Sequence, residues 1–282
     1  MLVSERIGQF FWDDHRLEFT EYGAGERWVV LIHGQLMPRR MHQPLARRLA
    51  AEGNHVVSVD LLGHGRSDRP ADPLAYSMTA FAEQVVALLD ELDAERAVIG
   101  GPSLGANVAL EVADGRPDRV AGIIADMPVL DNALEAGLVA FAPLLFTARL
   151  LPWAVSGTRL LTRAVPRGLV PFWTGIALDT LGQRPGPMAA AIHGIFFGRI
   201  APPSSRRREI RAPALVVGHP HDPVHPAADA AMLADELPDA TFVAARHVLE
   251  WSMHPERLDQ QAVAFVERCF APPEAGRRLR GS

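Results

Sequence analysis

The stretch Ala97-Val98-Ile99-Gly100-Gly101-Pro102-Ser103-Leu104-Gly105-Ala106-Asn107-Val108-Ala109-Leu110-Glu111 decides the fold. It opens as a short β-branched run, turns within Gly101-Pro102-Ser103-Leu104-Gly105, and leaves in a helical pattern. That pentapeptide is a G-x-S-x-G between a predicted strand and a predicted helix, a context in which the serine stands proud of the sheet and the flanking glycines let crowded backbones pass. Ser103 is therefore the candidate nucleophile. The competing reading is a helix N-cap serine after a glycine-rich turn, a common device in layered α/β proteins.

Working outward, Val- and Ile-rich runs recur at Trp28–Ile32, His55–Val59, Val120–Ala125, Ala214–Val217 and Thr241–Ala244. Helix-like apolar spacing separates them at Pro44–Glu52, Met78–Leu92, Leu104–Asp114, Ala227–Glu236 and Pro255–Phe270. This alternation predicts an α/β fold with a mostly parallel sheet flanked by helices. Residues 8–21 read as an edge hairpin turning at Asp13-Asp14. From Pro128 to Arg208 no strand pattern occurs, and Pro143, Pro152, Pro166, Pro171, Pro185 and Pro187 cut the segment into short helices. The expected organisation is a core formed by 1–128 and 209–270, a helical cap at 129–208 and a flexible tail at 271–282.

Composition narrows the function. The 282 residues carry a formal net charge of -5, and every one of the 28 basic residues is Arg. An acidic chain lacks the global positive field that gathers nucleic acid, so no nucleic-acid partner is expected. Without lysine there is no Schiff-base amine and no Walker-type phosphate loop. Neither Gly23-Ala24-Gly25 nor Gly63-His64-Gly65 continues as a dinucleotide-binding fingerprint, and no cofactor is expected. Cys269 is the single cysteine and reads as core on the last helix. No intramolecular disulfide can form, and a reducing compartment fits. No secretory layout opens the chain and no apolar run approaches the ~18 residues of a membrane span. The expectation is a cytoplasmic protein without a membrane span; a homodimer is left open.

A serine hydroxyl needs a base to take its proton and a carboxylate to orient that base. After the strand at Ala214–Val217 comes Gly218-His219-Pro220-His221-Asp222-Pro223-Val224-His225-Pro226, with Asp222 near its centre as the candidate acid. After the strand at Thr241–Ala244 comes Arg246-His247-Val248, with His247 as the candidate base. Two other residues compete for these roles. His254 precedes a proline at a helix entrance, and Asp126 is an alternative acid, otherwise a helix cap or hinge. The cluster His219, His221, Asp222 and His225 also raises zinc, but its spacing is wrong for a metallo-hydrolase motif and no second ligand cluster is evident, so no metal is expected.

The order Ser103, Asp222, His247, each after its own strand, together with His33-Gly34 and Asp60-Leu61-Leu62-Gly63-His64-Gly65-Arg66-Ser67, resembles the α/β-hydrolase fold superfamily, in its capped lipase/esterase-like branch. The resemblance covers residues 8–128 and 209–270. It implies an oxyanion hole built from the backbone N–H groups of Gln35 and Leu104; the side chains of His33 and His64 read as structural braces of their loops. Similar enzymes that open epoxides or carbon–halogen bonds attack with aspartate. A serine points instead to acyl transfer. The apolar clusters Leu144-Leu145-Phe146, Leu150-Leu151-Pro152-Trp153, Phe172-Trp173 and Ile195-Phe196-Phe197 predict a hydrophobic small-molecule substrate, with Arg149, Arg159, Arg163 and His193 as candidates to orient a polar end. The expected function is hydrolysis of a lipophilic ester through an acyl-enzyme. A carbon–carbon bond hydrolase of a diketone-like substrate and a triad-containing small-molecule receptor are the alternatives.

Overall fold

A computed structural model describes residues 3–272, with the side chains of residues 134–136 and 138 outside the description. All but two residues of the tail expected at 271–282 lie outside the described residues. The chain starts with a hairpin, β1 (Glu5–Trp12) and β2 (His15–Tyr22), whose two-residue turn places Asp13 and Asp14 at φ 46° and 61°. Two successive left-handed residues make the turn whose twist matches that of paired strands. There follow β3 (Arg27–Ile32), α1 (Gln43–Ala51), β4 (Asn54–Asp60), α2 (Met78–Glu91), β5 (Ala97–Pro102), α3 (Leu104–Gly115) and β6 (Val120–Asp126). The sheet order is β1-β2-β4-β3-β5-β6, completed by β7 (Ala214–Gly218) and β8 (Ala240–Ala244). The hairpin is antiparallel to β4, and every pair from β4 onward is parallel.

The parallel strands are apolar on both faces because helices cover both. In β3, Val30 and Ile32 join a core with Val85 and Leu88 of α2 and Val108 of α3, while Val29 and Leu31 face the opposite core. There they meet Ala46 and Leu49 of α1, together with Leu258 and Val266 of α11 (Glu256–Phe270). The period-two alternation of strand side chains thus assigns each residue to a layer. Cys269 packs beside Gly122, where burial pushes its thiol pKa up to about 12.

Between β6 and β7 lie α4 (Leu134–Leu150), α5 (Pro152–Ala164), α6 (Phe172–Leu181), α7 (Pro185–Phe196) and the short α8 (Ser204–Arg207); α9 (Ala227–Glu236) and the short α10 (Glu250–Met253) follow β7 and β8. The breaks fall at Pro152, Pro166, Pro171 and Pro185, whereas Pro143 sits within α4. Among the described residues no single helix is long and apolar enough to cross a membrane; α4 and α5 meet at a bend of 102°.

Two core side chains fasten this insertion. The Asn107 amide donates to the carbonyls of Val129 (2.7 Å) and Ile200 (2.6 Å) and accepts from Val129 N–H (3.0 Å). One side chain therefore ties together the departing and returning ends of the segment. Asp229, fully buried on α9, accepts from the N–H groups of Leu130, Asn132 and Ala133 and from the Asn132 amide. A buried carboxylate is tolerated there because four donors replace its water.

Candidate active site

Ser103 closes the turn from β5 into α3 with φ 53° and ψ -106°, a conformation that costs a non-glycine residue on the order of 1–3 kcal/mol. The neighbouring glycines explain how the turn fits. A Cβ on Gly101 would lie 1.9 Å from the Ile32 carbonyl oxygen, and one on Gly105 would lie 2.2 Å from the same atom. Ser103 N–H donates to the Asp126 carbonyl (2.8 Å), so the elbow is held by the end of β6. The serine hydroxyl makes no capping bond to the helix and is left for another partner.

That partner is His225. The Ser103 hydroxyl donates to His225 Nε2 at 2.9 Å, and His225 Nδ1–H donates to Asp222 Oδ2 at 3.0 Å. The carboxylate accepts only, which fixes the imidazole tautomer with its proton on Nδ1. The other carboxylate oxygen, Asp222 Oδ1, accepts from the N–H groups of Val224 (2.8 Å) and His225 (2.9 Å). Burial acts to raise the Asp222 pKa, but the hydrogen bonds from the His225 ring and the two main-chain N–H groups outweigh it and bring the value down to about 2. The carboxylate stays ionised beside its histidine.

The base position read from the sequence requires correction. His247 is exposed after β8, its ring edge-on to His254 at 5.8 Å, and no hydrogen bond joins it to Ser103 or Asp222. The turn that carries it is committed elsewhere: buried Glu250 accepts from Arg246 N–H and from the Arg257 guanidinium of α11. In the sequence His225 stands out only as one of the histidines of the loop 218–226. The missed signal is Asp222-Pro223-Val224-His225, an Asp whose side chain captures the two following free N–H groups and so folds residue i+3 back onto its own carboxylate. The rest of that cluster separates: His219 Nε2 binds Asp126 Oδ1 at 2.8 Å, and His221 is exposed. Asp126, the alternative acid, is thereby paired with His219 and makes no bond to His225. Burial acts to lower the His219 pKa, but the Asp126 hydrogen bond and charge outweigh it and the pKa is raised.

The two early histidines brace loops. His33 Nδ1–H donates to the Gly34 carbonyl and Nε2 accepts from Leu61 N–H; His64 Nδ1–H donates to the Leu62 carbonyl. Burial lowers the pKa of both, so both rings are neutral. Asp60 is fully buried and pairs with Arg39, which also binds Glu18; this triad ties the loop after β3 to the end of β4 and to the edge hairpin.

Ser103 and His225 open into a chamber of about 50 Å³ bounded by Gln35, Leu104, Met78, Phe141, Ile195 and Phe196, with Asn107, Val129 and Val224 among its other walls. Leu104 is the first residue of α3, so its N–H has no partner within the helix. The Gln35 carboxamide has neither its oxygen nor its nitrogen hydrogen-bonded to protein among the described residues. Of the apolar residues expected over the site, Ile195 and Phe196 reach the chamber, whereas Phe146, Leu150, Trp153 and Phe197 are exposed.

The alpha/beta hydrolase fold family matches residues 27–256, and the chain belongs to it. Among solved structures, an enol-lactonase from Burkholderia xenovorans LB400 superposes with a TM-score of 0.74 at 20% identity, covering 92% of this chain and 99% of that one. A thermophilic esterase from Thermogutta terrifontis gives 0.71 at 23% identity, covering 96% and 100%. Both likenesses concern the fold. Among curated sequences, a putative non-heme haloperoxidase of Mycobacterium phage D29 is 30% identical over 40% of this chain and 39% of its own length. Epoxide hydrolase A of Mycobacterium tuberculosis is 38% identical over 45% of this chain and 40% of its own. The matches thus span well under two thirds of these relatives.

Proposed function

We propose that the protein is a serine hydrolase that cleaves a lipophilic small-molecule ester through an acyl-enzyme, with the helical segment 129–208 as its cap. The observation that carries the reading is the unbroken chain Ser103 Oγ, His225 Nε2, His225 Nδ1, Asp222 Oδ2 at the floor of an apolar chamber. In this mechanism Ser103 Oγ attacks the ester carbonyl carbon as its proton passes to His225 Nε2. The Asp222 carboxylate stabilises the imidazolium. The carbonyl oxygen becomes an oxyanion facing the N–H groups of Leu104 and Gln35, and a donor of this kind is worth ~10²–10³ in rate. The C–O bond to the leaving group then breaks, and His225 returns its proton to the departing alkoxide. Water repeats the sequence on the acyl-enzyme, releasing the acid and restoring Ser103.

The acyl group lies in the chamber. Its volume of about 50 Å³ suits a short chain, and a longer one requires α4 or α7 to move. The Gln35 carboxamide, without a protein partner, supplies the polar contact in an otherwise apolar lining. The experiment is hydrolysis of p-nitrophenyl acetate, butyrate and decanoate alongside labelling with a fluorophosphonate probe. The expected result is turnover favouring the shorter esters, with turnover and labelling both abolished in Ser103→Ala. Stoichiometric labelling without turnover identifies a receptor instead, and turnover of a diketone with none of any ester identifies a carbon–carbon hydrolase.

A further inference from the structure

A second and larger cavity, about 970 Å³, opens on the far side of the loop that supplies Gln35 to the chamber. Leu36 and Pro38 of that loop line it, and it shares no lining residue with the chamber beside Ser103. Its walls come from the edge hairpin, the loop after β4, α5, and the connection between α6 and α7. Eight arginines face it against four carboxylates.

Those carboxylates are already engaged. Asp60 pairs with Arg39, and Asp179 pairs with both Arg40 and Arg167. Asp68 and Glu5 pair with Arg16 and Arg47, which lie outside the lining. Arg66, Arg69, Arg159, Arg163 and Arg184 are left with no carboxylate partner among the described residues. Only Arg69 is anchored, through hydrogen bonds to Gln183 and the Gly65 carbonyl. Burial lowers the guanidinium pKa of Arg69, the charge of Asp60 partly offsets this, and Arg184 and Arg159 lower it further; that of Arg159 is lowered by desolvation and then by Arg163 and Arg184. Convergent cations drawn from separate elements of an acidic protein repel one another, and a multivalent anion removes that cost. Guanidinium forks match the oxygens of a phosphate in geometry as well as charge.

We propose that this cleft binds a phosphate-bearing small molecule, held between Arg159 and Arg163 of α5, Arg184 before α7, and Arg66 and Arg69 of the loop after β4. The site is separate from the hydrolytic reading and does not depend on it.

The test is isothermal titration of the full chain with inorganic pyrophosphate, ADP and citrate at low and at physiological salt. Pyrophosphate or ADP is expected to bind, more weakly as salt rises. The double variant Arg159→Gln/Arg163→Gln and the single variant Arg184→Gln are each expected to lose about tenfold or more in affinity, as removal of charge-assisted hydrogen bonds does. Arg149→Gln, outside the cleft, and Ser103→Ala should bind as the parent does. Tighter binding by ADP than by pyrophosphate marks a ligand with an organic body, and equal binding marks a free diphosphate. Absence of binding by both probes at low salt overturns the proposal. So does binding untouched by the α5 and Arg184 variants, or citrate binding tighter than both phosphates.

Discussion

Replacing His225 by alanine separates the two histidines that could serve Ser103. In the structure one ring nitrogen lies 2.9 Å from the Ser103 hydroxyl and the other 3.0 Å from a carboxylate held ionised. Removing that ring takes away the proton acceptor and leaves Asp222 its two main-chain donors, so the loop is expected to keep its shape. A positioned general base contributes ~10²–10⁴ in rate, or ~3–5 kcal/mol of transition-state stabilisation. His225→Ala should therefore lower kcat for p-nitrophenyl acetate by that factor with an unchanged circular-dichroism spectrum. His247→Ala, at an exposed position, should change it by about twofold or less, in line with surface substitutions generally. The result that refutes this reasoning is the reverse pattern: His225→Ala active and His247→Ala dead.

Other outcomes test the scaffold. Because His219 holds its proton more tightly folded than unfolded, its pair with Asp126 stabilises fully below the unfolded value of about 6.5 and is lost as pH rises through the raised folded value. The stability gap between the parent and His219→Asn, followed by urea unfolding, should shrink as pH rises through that window; a gap that grows contradicts the pairing. Arg39→Met leaves buried Asp60 with only its main-chain donors and buried Glu18 with only Arg16 at 3.6 Å, and should cost up to about 3–5 kcal/mol in chemical denaturation. Asn107→Ala strands two carbonyls and one N–H at the ends of the insertion; a loss of about 1–3 kcal/mol is expected, with proteolysis between 129 and 200 accelerated before global unfolding. Gln35→Leu should raise KM more than it lowers kcat if its carboxamide contacts the ground-state ester.

The fold was legible because its signals are local. The β-branched runs of β3 to β8, the paired aspartates at 13 and 14 and the prolines at 152, 166, 171 and 185 each act within a few residues, and β3 to β8 begin and end within about two residues of the sequence reading; Pro143 and Pro187, expected to cut the insertion as well, lie inside α4 and α7. The elbow was legible for the same reason, since Gly101 and Gly105 answer to contacts that Ile32 imposes on any strand at that spacing. The base was not. Choosing between His225 and His247 depends on where two loops point after leaving adjacent strands, and the deciding interactions are Asp222 Oδ1 with its own turn and Glu250 with Arg257 on α11. The arginine cleft was hidden more deeply: Arg66 and Arg159 lie 93 positions apart, on the loop after β4 and on α5, and only the tertiary fold brings them to one cavity.

The seating of His225 on its own Asp222 has a further effect. The relative position of these two groups is set by three peptide units and clamped by a side chain inside the same turn, so vibration of the loop carries them as a single rigid piece. Only one separation, from imidazole to serine, remains free to fluctuate. In this arrangement the final strand and helix supply neither partner of Ser103, and the turn between them spends its polar groups on its own anchor, Glu250 with Arg246 N–H and Arg257.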